Sequence, residues 1–306
     1  MVKLRKKLLL IIPIIIIALL LLPFIFTDRS YKGLNGPDLS ELEYTEIYFD
    51  NDSENLKLAG MLMLPEGEGP FPTAVIIHGS GPSERNSVWY LSVAKHLQDN
   101  GIAVILPDKR GSEKSEGDWV GANFEELATD TTSAIEYVKS QKDFSYSTIG
   151  IIGMSQGGWI APVASANTND ISFIVSMSGS TVTTDEQLLH EEIHNIASYT
   201  YTFVAKLIAP ITTQNIKKGD YFNSIAGFDP IPYWKQVDIP VFFAFGGNDK
   251  NVPVEACIDL LKENNLTDFK IKTYPQGGHA IRDVKTDKVS QVYLNDLVKF
   301  IKEDSH

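Results

Sequence analysis

The stretch Thr148-Ile149-Gly150-Ile151-Ile152-Gly153-Met154-Ser155-Gln156-Gly157 decides how this chain is read. Its first five residues form an apolar run of strand length, and the G-x-S-x-G pattern behind it marks a serine on a sharp strand-to-helix turn. Such a turn strains the serine backbone, and the flanking glycines omit side chains that would collide with the neighbouring strand and helix. The pattern predicts a helix beginning at Gln156 and Ser155 Oγ exposed above the edge of a sheet. Glycine and serine also mark ordinary turns, so the motif calls for partners elsewhere in the chain.

A serine hydroxyl attacks only when a base takes its proton, a third group orients that base, and donors await the developing oxyanion. The apolar run at 239–245 leads into Gly246-Gly247-Asn248-Asp249, which places Asp249 in a turn just past a strand. The alternating run Phe269-Lys270-Ile271-Lys272-Thr273-Tyr274 is followed by Pro275-Gln276-Gly277-Gly278-His279, which puts a histidine on the next loop. The candidate catalytic set is therefore Ser155, Asp249 and His279, in that chain order. Upstream, Thr73-Ala74-Val75-Ile76-Ile77 opens into His78-Gly79-Ser80-Gly81-Pro82. Main-chain N–H groups of Gln156 and of this loop are the expected oxyanion donors, with Ser80 chosen from Gly79, Ser80 and Gly81. His78 is expected to pin the loop by hydrogen bonds rather than to act as a base.

Taken together, Leu58-Ala59-Gly60 with Leu64-Pro65, the 78–82 loop, Pro107-Asp108-Lys109-Arg110-Gly111-Ser112 and residues 153–158 resemble a known family. They look like bacterial α/β-hydrolase esterases related to the dienelactone hydrolase and prolyl-oligopeptidase-like branches. The resemblance runs from about residue 44 to the C-terminus, and its motifs are specific for fold and triad but weak for substrate. It implies an α/β-hydrolase fold acting on a small-molecule ester or acyl substrate. One departure is visible: many relatives carry a histidine and an acidic residue where this chain has Met154 and Gln156. Mechanistically only the backbone N–H of Gln156 is asked to work, so both positions are expected to tolerate variation. Asp108, Arg110 and Ser112 are read as an Asp-Arg pair that fixes a loop, and Trp119 as either pocket lining or core cover.

Residues 1–7 carry Lys3, Arg5, Lys6 and Lys7 without an acid, and Leu8 to Phe26 is an unbroken apolar stretch. Its length suits a bilayer-spanning helix, and the flanking charge places the N-terminus in the cytoplasm. Thr27-Asp28-Arg29 lacks the small-residue pattern of a cleavage site, so an anchor is expected over a removed signal peptide. The expected organisation is an anchor at 1–27, a linker at 28–43 and an α/β-hydrolase domain at 44–306, outside the cell. Cys257 is the only cysteine, which excludes an intramolecular disulfide. A formal net charge of −12 argues against nucleic acid as a partner. No cofactor motif is evident.

Strand and helix patterns alternate as in a doubly wound, mostly parallel sheet, with a helix expected over 123–140. The alternation breaks at about 180–237, where a helical cap insertion is expected. Tyr199, Tyr201, Phe203, Tyr221, Phe222, Phe228, Tyr233 and Trp234 fall in it, either to line a pocket over Ser155 or to glue the cap to the body. The same insert holds His190-Glu191-Glu192-Ile193-His194, an H-E-x-x-H match. No third ligand is evident and Glu192 sets a charge where zinc-protease helices bury a neutral residue, so no metal is assigned. The expected activity is ester hydrolysis through an acyl-enzyme. Peptidase, thioesterase or acyltransferase chemistry on the same triad stays open, as does a non-catalytic binding protein of this fold.

Overall fold

Strands that are buried on both faces read as continuous apolar runs, and in this chain those runs lie side by side. A computed structural model of the chain describes residues 11–14, 17, 19 and 33–304. Its strands are β1 Thr45–Asn51, β2 Leu56–Met63, β3 Phe71–Ile77, β4 Ala103–Pro107, β5 Tyr146–Met154, β6 Phe173–Met177, β7 Val241–Gly246 and β8 Lys270–Tyr274. They form one 8-stranded sheet in the order β1-β2-β4-β3-β5-β6-β7-β8. β1 pairs antiparallel with β2 and β2 with β4, while every pairing from β4 to β8 is parallel. From β3 the chain moves outward to β4 and then returns across β3 to β5. That reversal opens a crevice at the carboxyl ends of β3 and β5, the place where ligands bind in open α/β sheets.

Helices α1 Val88–Asp99, α2 Phe124–Ser140, α3 Gly157–Asn167, α8 Val254–Glu263 and α9 Gln291–Lys299 cover the sheet. The period-two alternation of β3 divides its side chains between two cores. Val75 and Ile77 join Leu127, Ile135 and Ile160 on one face, and Ala74 and Ile76 join Leu91, Leu97 and Tyr293 on the other. α2 begins one residue after the expected position because Asn123 is its cap: Asn123 Oδ1 accepts the Glu126 N–H at 2.9 Å, and the Glu126 carboxylate accepts the Asn123 N–H at 2.7 Å. Between β6 and β7 the chain forms α4 Thr184–Ala197, α5 Thr202–Ile216, α6 Asp220–Asn223 and α7 Ile231–Trp234.

The expected linker is corrected over its described part. Residues 33–43 lie on the domain: Leu42 is buried, and Leu34 and Leu39 pack against the second core. Leu39–Glu41 form a short 3-10 turn capped by Asp38, and the Asn35 N–H donates to the Asp287 carbonyl at 2.7 Å. Three leucines give the segment apolar surface to bury, which its glycine, proline and serine content obscured. Residues 28–32, the basic residues at 3–7 and most of the apolar stretch at 8–26 lie outside the described residues. Among the described residues no helix is long and apolar enough to cross a membrane.

Candidate active site

β5 ends at Met154 and α3 starts at Gly157, so Ser155 turns the chain through a left-handed backbone conformation at φ 53°. A non-glycine residue held there is strained. The turn closes because its glycines allow contact: a Cβ at Gly153 would overlap the Gly157 carbonyl, and one at Gly157 would come within 2.5 Å of the Ile77 carbonyl oxygen.

Asp249 lies in the turn after β7 and His279 in the loop after β8. The two loops are laced together, with the Gly247 N–H on the Tyr274 carbonyl at 2.8 Å and the Asn248 N–H on the Gly277 carbonyl at 2.9 Å. A Cβ at Gly246 would strike the Gly278 carbonyl, and one at Gly247 would come within 2.6 Å of the Pro275 carbonyl oxygen, so this pair of glycines lets the two loops touch. His279 Nε2 is 2.8 Å from Ser155 Oγ, and its Nδ1 is 2.8 Å from Asp249 Oδ2. The Asp249 side chain is fully buried. Its other oxygen accepts the N–H groups of Asn251 at 2.8 Å and Val252 at 3.1 Å. A carboxylate at Nδ1 selects the tautomer that donates there, which leaves Nε2 to accept the serine proton. Trp89 packs beside the imidazole, with ring centroids 5.4 Å apart. The structure thus brings Ser155, Asp249 and His279 together at the carboxyl edge of the sheet.

The loop after β3 lies against the serine, since a Cβ at Gly79 would be 3.1 Å from Ser155 Cβ. The Gly79 N–H is already used, donating to Tyr90 Oη at 2.7 Å. Among the described residues no acceptor takes the N–H of Ser80 or Gln156. The Gln156 side chain, expected to be free to vary, is instead buried and bridging: Oε1 accepts from Lys109 Nζ at 3.0 Å, and Nε2 donates to Tyr221 Oη at 2.9 Å. Burial brings the Lys109 ammonium down to about 7. Neither Tyr90 nor Lys109 was singled out from sequence, although Lys109 sits inside the quoted Pro107 to Ser112 motif.

His78 pins its loop as expected. Its Nε2 meets the Pro107 carbonyl at 2.8 Å, and burial lowers its pKa to about 3, which keeps the ring neutral. The expected pairing of Asp108 with Arg110 is corrected, because each takes a partner from elsewhere. Asp108 receives Arg85 Nε at 2.9 Å and Nη2 at 2.7 Å, and Arg110 Nε meets Asp130 at 2.8 Å. β4 ends at Pro107 and the chain turns at once, with the Ser112 N–H on the Lys109 carbonyl at 2.9 Å, so the two side chains leave from different points of a turn and meet loop and helix residues instead. Ser112 Oγ accepts the Ser83 N–H at 3.2 Å. Asp108→Ala is expected to lower stability by about 3 kcal/mol in urea unfolding, since it leaves the buried Arg85 guanidinium short of its main partner.

A cavity of about 480 Å³ opens over Ser155 and His279, walled by Trp89, Trp159, Leu188, Tyr221 and Phe222 with Glu191 among them. Of the cap aromatics singled out, Tyr221 and Phe222 line it. Tyr199, Tyr201 and Phe203 are exposed, and Phe228, Tyr233 and Trp234 pack into the first core. Trp119 meets Tyr221 edge-on at 5.5 Å and lies outside the lining. In α4 the rings of His190 and His194 lie 4.3 Å apart, and His194 Nδ1 bonds the His190 carbonyl. Glu191 turns instead toward the cavity, its Oε1 accepting from Asn251 Nδ2 at 3.3 Å, and burial raises its pKa. Among the described residues no three His, Cys, Asp or Glu gather as a metal-binding group.

Comparison with known proteins agrees with this architecture. Residues 132–283 match the family described as BAAT / Acyl-CoA thioester hydrolase C terminal. The chain is 26% identical to Esterase EstD of Thermotoga maritima over 83% of its own length and 67% of that protein's. It is 25% identical to the acylamino-acid-releasing enzyme of Homo sapiens, spanning 81% of its own length but 34% of that enzyme's. A solved esterase from Pyrococcus furiosus superposes with a TM-score of 0.65 at 19% identity, covering 90% of this chain and 98% of that one. The strand order is that of the α/β-hydrolase fold, and these esterase and thioester hydrolase relatives mark the chain as an enzyme of the serine hydrolase type.

Proposed function

We propose that this protein hydrolyses carboxylic esters of small molecules through Ser155, His279 and Asp249, with the main-chain N–H groups of Ser80 and Gln156 receiving the oxyanion. The observation that carries this reading is the unbroken relay from Ser155 Oγ through both nitrogens of His279 to the buried Asp249 carboxylate. As the Oγ–carbon bond forms, the serine proton passes to His279 Nε2 and the carbonyl electrons move onto oxygen. Collapse of that oxyanion breaks the bond to the leaving alcohol, which takes the proton back from His279. Water, deprotonated by the same nitrogen, then releases the acid from Ser155. The Asp249 carboxylate at Nδ1 holds the imidazolium that forms.

A second reading, thioester hydrolysis, is favoured by the match of residues 132–283 to an acyl-CoA thioester hydrolase family. The same relay serves it, with a thiol as leaving group. The location belongs to the proposal too: the basic residues at 3–7 and the apolar stretch at 8–26 support a membrane anchor with a cytoplasmic N-terminus and the catalytic domain outside.

The test compares p-nitrophenyl esters of graded acyl length with the matching acyl thioesters, beside labelling by a fluorophosphonate. Turnover with the label found on the peptide holding Ser155 is expected, and the preferred acyl length reports the depth of the cavity. Absence of both turnover and label would give first place to a binding protein of this fold. Faster turnover of the thioesters would move the second reading ahead.

A further inference from the structure

Lys109 is buried, yet among the described residues no carboxylate pairs with it. Its Nζ donates to three oxygens: the Gly79 carbonyl, the Gly81 carbonyl at 2.9 Å and Gln156 Oε1 at 3.0 Å. The Trp119 ring faces the same amino group, its centroid 5.9 Å from Nζ. A buried amino group without a carboxylate partner is costly to keep, and the fold keeps it against the residues whose N–H groups are read as oxyanion donors.

The geometry of the peptide unit gives this placement a consequence. In a trans peptide the C=O and the following N–H point in opposite directions. Drawing the Gly79 carbonyl onto Lys109 therefore turns the Ser80 N–H the other way, out from the loop. Gly79 is fixed from its other end as well, because its own N–H is held by Tyr90 Oη. Gly81, whose φ of 83° suits a glycine, turns its carbonyl onto the same amino group. Lys109 also holds the Gln156 side chain, whose amide end reaches Tyr221. One amino group thus ties the residues of both donors together. In its protonated form that group also strengthens the N–H of the 79–80 peptide as a donor to negative charge in front.

We propose that Lys109 is the positioning residue of the oxyanion site, setting the Ser80 N–H and the Gln156 backbone at the orientation a tetrahedral oxyanion needs. This rests on the reading of Ser155 as nucleophile and of those two N–H groups as oxyanion donors. Lys109 itself touches neither substrate nor the reacting atoms.

The experiment uses the full chain with Lys109→Met, which keeps length and apolar stem but removes every donor, and Lys109→Gln, which keeps an N–H for one of the three oxygens. With p-nitrophenyl acetate, the Met variant is expected to lose about 100-fold in kcat, with KM within about threefold of wild type. The Gln variant is expected to lose less. An alkyl trifluoromethyl ketone, whose adduct on Ser155 carries the oxyanion, is expected to lose affinity by the same factor as kcat/KM. A purely structural role would not tie those two losses together. A rise in KM with kcat unchanged, or ketone affinity that does not follow kcat/KM, overturns the assignment. So does failure of both variants to fold, which would make Lys109 a residue of the fold itself. If instead wild-type protein shows neither turnover nor label on Ser155, the hydrolase reading fails and this assignment with it.

Discussion

Ser155→Ala is expected to lower kcat for ester hydrolysis by about 10⁶-fold, with KM near the wild-type value. The size follows from the relay: once Oγ is absent, the proton acceptor at His279 Nε2, 2.8 Å away, has nothing to activate. His279→Ala is expected to cost as much, because a neutral alcohol without a base is no better than no alcohol. The double variant is expected to lose no more than either single one, since the residues act as one unit. Steady-state kinetics of the three variants, with thermal unfolding to show that the fold persists, checks this. Additive losses would mean that the two groups serve separate steps. The residual rate then measures what the Ser80 and Gln156 N–H groups do alone.

Asp249→Asn is expected to cost about 10⁴-fold in kcat while leaving the fold intact. The reason lies in the other oxygen of this carboxylate. Oδ1 accepts the N–H groups of Asn251 and Val252, and these demand an acceptor in the variant too. The asparagine oxygen is therefore held on that side and its NH₂ is directed at His279 Nδ1. Facing a donor, Nδ1 becomes the acceptor and the ring proton moves to Nε2, so the nitrogen 2.8 Å from Ser155 Oγ can no longer take a proton. Fluorophosphonate labelling of Ser155 is expected to slow in parallel with kcat, because it needs the same deprotonation. Labelling at the wild-type rate would show that Asp249 acts on some later step.

Much of this site was legible from local sequence. Ser155 could be found because the elbow requires glycines at fixed offsets, and the Cβ overlaps at Gly153 and Gly157 show why no other residue serves. Asp249 and His279 could be found because each follows a strand-like run and sits among glycines that let two loops touch. The partners of Asp108 and Arg110 were not legible, since Arg85 and Asp130 come from other segments and a charge in sequence carries no address. The bridging role of the Gln156 side chain is hidden for the same reason, its partners Lys109 and Tyr221 lying 47 and 65 residues away.

By itself the sequence determined the strands, the elbow, the order Ser155, Asp249, His279 and the apolar stretch at 8–26, because each is written in short-range pattern: periodicity, glycine spacing and chain order. The tertiary structure alone decided which cap aromatics wall the cavity, that residues 33–43 pack on the domain, and that one buried lysine stands behind both candidate oxyanion donors. Those outcomes depend on which surfaces meet across the sheet, where the free energy lies in burial and in satisfying buried polar groups rather than in local conformation.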